Sequence, residues 1–114
     1  MAKKSIENKL TYKGTDYELV FNLNVMEDIQ DKYGSVEAWG ELTEAAEPNA
    51  KAIKYGITAM INEGIDIYNE NNDDKREFFT EKQVGRIITE YGLANTAKVL
   101  NKTVVDSTKS DEKN

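Results

Sequence analysis

The polar stretch Asn69-Glu70-Asn71-Asn72-Asp73-Asp74 is the part of this chain whose side chains come closest to a ligand set. Asn69, Asn71 and Asp73 alternate, as the first ligands of a hand-type calcium loop do. The sixth position would be Asp74 where the sharp turn needs glycine. The twelfth would be Thr80 where a bidentate glutamate is needed. Both departures remove something the ion requires, so the stretch reads as a solvated connector. Asp66 and Glu70 stand at helical spacing and could in principle share acid–base work. They fall on the polar side of the helix they occupy, and a hydrated carboxylate is a poor general acid at neutral pH. The chain has no histidine and no cysteine. That removes the commonest general base, the commonest transition-metal ligand and the best nucleophile. Its seven glycines form neither a dinucleotide fingerprint nor a phosphate loop, and no serine sits in a nucleophile elbow. The expectation is a non-catalytic protein without metal or cofactor.

Binding remains as a mode of action, and large aromatic residues are the usual anchors for it. Trp39, Phe78 and Phe79 are the candidate protein-interaction residues. Trp39 lies between Gly34 and Gly40 in a short helical stretch, and the phenylalanine pair adjoins the polar loop. A domain of this size also needs large residues to fill its core, and that reading outweighs the interface reading for all three.

These residues need elements to hold them. Leu10 and Tyr12 alternate with polar neighbours, as do Tyr17, Leu19, Phe21 and Leu23, with Gly14 between the two runs. This period of two predicts a β-hairpin over 9–23 with one apolar face. A lone hairpin is marginal in water, so that face must lie on something. Asn24 with Glu27 three residues on reads as a capping box, opening a helix through Ile29 and Tyr33 that Gly34 ends. Ser35 caps a short helix carrying Val36, Trp39 and Leu42. Pro48 suits the first turn of the next helix, which runs to about Asn69. There Ile53, Ile57, Met60, Ile61, Gly64, Ile65 and Tyr68 recur at three- and four-residue steps and cover about half the helical wheel. Such a helix is central, with neighbours on two sides. Gly56 and Gly64 each cost it roughly 1 kcal/mol against alanine. Close internal packing is the preferred explanation, and a homo-oligomer contact is the alternative. Thr80 with Gln83 is a second capping box, followed by Val84, Ile87, Ile88 and Tyr91 and ended by Gly92. A last helix carries Leu93, Ala97, Leu100 and Val104. The expected fold is α+β and mostly helical, an N-terminal β-hairpin packed on a bundle of about five α-helices. Residues 1–8 read as a flexible N-terminal tail, 9–106 as one globular domain with helices over 25–105, and 107–114 as a disordered C-terminal tail.

The chain has 114 residues, 15 basic and 21 acidic, for a net charge of −6. That argues against general binding to nucleic acid or an anionic membrane. Met1 to Lys4 is basic but no apolar run follows, so neither a leader nor a membrane span is expected. Asn101-Lys102-Thr103 is then a chance glycosylation triplet, and the absence of cysteine suits a reducing cytoplasm.

The order of features is more specific than any one of them. Lys9 to Asn24 forms a strand, a Lys13-Gly14 turn and a strand, leading directly to Glu27 and then to Lys32-Tyr33-Gly34. This resembles the tail assembly chaperones of long-tailed phages and of prophages in Gram-positive bacteria, and the likeness covers most of the chain. The resemblance implies a helper in the host cytoplasm, absent from the finished virion, with the tape measure protein and the tail tube protein as partners. It also implies that a longer form made by ribosomal frameshifting near the C-terminus can exist. The family has no catalytic motif to carry over. The rival reading is a small acidic phage-encoded inhibitor or nucleic-acid mimic acting on a host protein. Acidic and basic residues are interspersed here, as in Asp73-Asp74-Lys75-Arg76-Glu77, which counts against it.

Overall fold

The protein is described by a computed structural model that covers residues 8–113. Strands β1 (Lys9–Tyr12) and β2 (Thr15–Glu18) form an antiparallel hairpin. Helices α1 (Leu23–Tyr33), α2 (Val36–Glu44), α3 (Ala50–Asn71), α4 (Glu81–Tyr91) and α5 (Leu93–Lys113) follow. The architecture is therefore α+β and mostly helical, as the periodicities predict. Leu10 pairs with Tyr17 and Tyr12 with Thr15, so the turn is the two residues Lys13 and Gly14. Both have positive φ, 52° and 81°, which a two-residue turn of type I′ requires.

Helix α3 is the axis of the fold. Ile53, Ile57, Met60 and Ile61 are wholly buried on it, and β2, α1, α2, α4 and α5 all pack against it. Both of its paired glycines are explained by close approach inside the chain. A Cβ at Gly56 would lie 2.5 Å from Cζ2 of Trp39 and 3.2 Å from Cδ1 of Leu100. A Cβ at Gly64 would overlap the Glu18 carbonyl oxygen at the end of β2. The segment after β2 stays against the same helix, with the Val20 amide donating to the Met60 carbonyl at 3.2 Å.

Local stop and start signals act where the sequence places them. Gly34 ends α1 with φ 91°, and its amide donates to the Gln30 carbonyl. The Ser35 hydroxyl accepts from the Ala38 amide at the start of α2. Thr80 and Gln83 form a complete capping box on α4, and Gly92 ends that helix with φ 94°.

Three boundaries differ from expectation. The cap of α1 is Asn22, whose side chain accepts from the Val25 amide, so Asn24 lies inside the first turn and the Asn24–Glu27 box is not the cap. The cause is tertiary: the Glu63 carboxylate on α3 accepts from both Asn22 Nδ2 (2.8 Å) and Asn24 Nδ2 (3.1 Å). Strand β2 ends at Glu18, short of the expected residue 23, and Leu23, the first residue of α1, is left 66% exposed. Pro48 precedes the α3 cap, Asn49, and stands outside the first turn.

The third difference is at the ends. Asn8 is not part of a loose tail: its carbonyl accepts from Leu19 N, its amide donates to Asp106, and its side-chain oxygen accepts from Thr103. Within 107–113, expected as part of a tail, α5 continues to Lys113. Ser107 Oγ donates to the Phe21 carbonyl at 3.0 Å, and Lys102 pairs with Asp106 one turn earlier. Residues 1–7 and 114 of the two expected tails lie outside the described residues.

Candidate protein-interaction surfaces

The three candidate aromatics have three different fates. Trp39 is 1% exposed. Its ring stacks on Phe21, centroids 6.4 Å apart and planes 9° from parallel, and Nε1 donates to the Ala52 carbonyl at 3.0 Å. Every polar and apolar part of that side chain is used internally. Phe79 is half-buried against the inner face of the hairpin, meeting Tyr12 and Tyr17 edge to face. Phe78 is 55% exposed and is the one of the three placed to touch a partner.

Asn62 decides which phenylalanine points inward. Its amide donates to the Phe79 carbonyl and accepts from the Phe79 amide, both at 2.9 Å. This clamp fixes the backbone of residue 79 against α3, so its side chain turns to the hairpin and that of Phe78 turns away. Asn69 does the same two turns later, donating to the Arg76 carbonyl and accepting from the Arg76 amide. Lys75 Nζ reaches the open carbonyls of Asn69 and Asn72 at the α3 C-terminus, where a cation is favoured. The amides of Asn71 and Asn72 bond to carbonyls one turn back. The asparagines and Lys75 of this loop are thus occupied in closing a helix. Among the described residues, no three acidic side chains converge in a way that could hold a metal.

Arg76 was not singled out by the sequence, and it joins the loop to the hairpin. Its guanidinium lies 3.8 Å from the Tyr68 ring centroid and 5.1 Å from that of Tyr17, and Nη1 donates to the Asp16 carbonyl. Tyr68 donates to Asp74, and that bond to a carboxylate holds the phenol above its usual pKa. On the outer face of the hairpin Asp16 accepts from Thr11 (2.6 Å) and Lys9 (2.9 Å), and these bonds hold its carboxyl below the usual range. A cleft of about 440 Å³ opens between these groups, Val20 and the Ile65–Ile67 stretch of α3. It carries both signs of charge.

A second depression of about 400 Å³ lies between the start of α3 and α4, with an apolar floor and only lysines as charged lining. A third, of about 450 Å³, lies between α2 and α5 and is lined by Glu37, Glu41 and Glu44. Gly85 is the sequence signal for the second. It stands inside the amphipathic run of α4, off the Val84–Ile87–Ile88 face, where core packing gives it no task. No helix among the described residues is long and apolar enough to cross a membrane. Comparison with known proteins returns no matching family model, no similar curated protein and no similar solved structure.

Proposed function

We propose that this chain is a non-catalytic tail assembly chaperone of the long-tailed phage type. It would bind the tape measure protein, the tail tube protein or both in the host cytoplasm, and leave before the virion is complete. One observation carries the reading. The N-terminal unit has the order on which the resemblance rests: a hairpin with a Lys13-Gly14 turn runs directly into an asparagine-capped helix ended at Gly34. That unit is fastened to the central helix at Glu18, Val20, Asn22 and Asn24. It is an integral part of the domain and not an appended arm.

The role suits the surface physically. A tape measure is a long helical chain whose apolar stripes need cover before assembly. Helix-in-groove packing supplies that cover, and a net charge of −6 discourages aggregation of the complex. The test is co-expression with the cognate tape measure and tube proteins. The expected outcome is that one of them stays soluble and co-purifies with it. Unchanged solubility of both, with this chain folded and abundant, overturns the proposal.

A further inference from the structure

The depression between α3 and α4 is floored by Ala50, Gly85, Ile88 and Leu93 and flanked by Lys51 and Lys54. No acidic side chain lines it, although the chain as a whole carries −6. Neither lysine makes an ion pair with a described residue. A groove that is apolar at the bottom and cationic at the rim matches a helix that is apolar along one stripe and acidic beside it.

Gly85 adds an independent indication. A glycine inside a helix costs about 1 kcal/mol against alanine. At Gly56 and Gly64 that cost has an internal cause, because a Cβ would collide with Trp39 or with Glu18. At Gly85 a Cβ would meet only the flexible Lys54 side chain, at 3.4 Å, which is ordinary contact. The missing side chain therefore relieves no clash among the described residues. It keeps the groove floor low enough for something outside to approach.

The matching helix is present in the same protein. Helix α2 exposes Leu42, 37% accessible, with Ala38 one turn before it. Glu37, Glu41 and Glu44 are exposed on the same helix, Glu41 next to this pair and Glu44 farther round toward α5. Glu41 and Glu44 are separated by the same three-residue helical step as Lys51 and Lys54. The two surfaces also adjoin: the Asn49 amide donates to the Leu42 carbonyl at 3.0 Å, and Ala50 begins the groove. Donor and acceptor patches side by side on one molecule are what a two-fold pair needs, since each copy can then fill the other's groove at once.

We infer that two copies of this chain pair through reciprocal docking of α2 into the α3–α4 groove, with Glu41 and Glu44 of each copy against Lys51 and Lys54 of the other. This pairing goes beyond the chaperone reading and does not depend on it. It is tested on the full-length chain alone, by sedimentation velocity across a concentration series. The wild type is expected to be dimeric. Lys51→Glu/Lys54→Glu and Glu41→Lys/Glu44→Lys are each expected to be monomeric, with unchanged far-ultraviolet circular dichroism. The second of these moves the net charge toward zero, so general repulsion cannot explain its loss of pairing. An equimolar mixture of the two variants, and the chain carrying all four changes, should recover the dimer. Gly85→Leu fills the groove without touching a charge and should be folded and monomeric. A monomeric wild type at every concentration overturns the inference, and so does a dimer that the swaps leave intact or that the mixture fails to restore. A monomer that instead binds an acidic helix of another protein through this groove also overturns it.

Discussion

Gly56 of α3 lies directly under the indole of Trp39, so close that a Cβ at position 56 would sit 2.5 Å from Cζ2. The indole cannot move aside, because Nε1 is bonded to the Ala52 carbonyl and the ring is stacked on Phe21. Leu100 closes the other side at 3.2 Å. Gly56→Ala adds helix propensity worth roughly 1 kcal/mol but overpacks a fixed site, which costs about 1–3 kcal/mol. The expected result is a net loss of up to about 2 kcal/mol in urea unfolding, with altered tryptophan fluorescence in the native state.

Gly40 and Gly85 should behave in the opposite way. Position 40 has open space where a Cβ would be, and position 85 has only the Lys54 methylene at 3.4 Å. Gly40→Ala and Gly85→Ala each remove backbone freedom from the unfolded chain and add a better helix former. Each is expected to raise stability by about 0.5–1 kcal/mol in the same urea assay. A loss at either position would mean that the helix there is held differently from the structure described.

The four helix glycines are indistinguishable as letters in the sequence. Periodicity identifies α3 as central and its paired glycines as close-packing sites, because the apolar residues around them cover so much of the wheel. It cannot say which neighbour fills each gap, since Trp39 and Glu18 come from distant segments. The same division runs through the caps. Ser35, Gly34, Gly92 and the Thr80–Gln83 box are legible because each is satisfied within a few residues. Asn22 displaces Asn24 as a cap because Glu63, 39 residues beyond Asn24, holds both amides. Ser107 is ordered through a carbonyl 86 positions earlier. Polar contacts of that range leave no periodic trace, and the Lys51–Lys54–Gly85 groove, built across two helices, shows in the sequence only as the unexplained Gly85.

Asn62 is the residue that separates Phe78 from Phe79, and its removal should affect both the fold and the surface. Asn62→Ala deletes two part-buried hydrogen bonds to the backbone of residue 79. At about 0.5–1.5 kcal/mol per bond, plus exposure of the orphaned groups, the expected loss is roughly 2 kcal/mol. Native-state hydrogen exchange should show the Phe79 amide losing protection first, while the Ile57–Ile61 stretch of α3 keeps it. Equal loss in both places would mean that the loop and the central helix open as one unit. Added calcium should leave the melting temperature of wild type and variant unchanged, since the asparagines of this loop are spent on backbone groups.

Tyr33 and Tyr55 meet edge to face, with centroids 5.7 Å apart, where the end of α1 crosses α3. The Tyr55 hydroxyl donates to the Asp28 carbonyl, while the buried Tyr33 hydroxyl has no hydrogen-bond partner among the described residues. Burial, followed by the negative charge of Glu81, pushes the Tyr33 phenol above its ordinary pKa of 10.0. Burial, followed by Asp28 and Glu81, does the same to Tyr55. The folded state thus holds these protons more tightly than the unfolded state does. Their contribution to stability is complete below pH ~10 and is lost as pH rises through the raised folded values. Melting temperature should therefore be level on the neutral side and fall above that point, in step with phenolate absorbance. Tyr33→Phe removes an unsatisfied hydroxyl and one of the titrating groups. It should raise stability at neutral pH by about 1 kcal/mol and make the alkaline fall shallower, with Tyr55 and Tyr68 accounting for what remains.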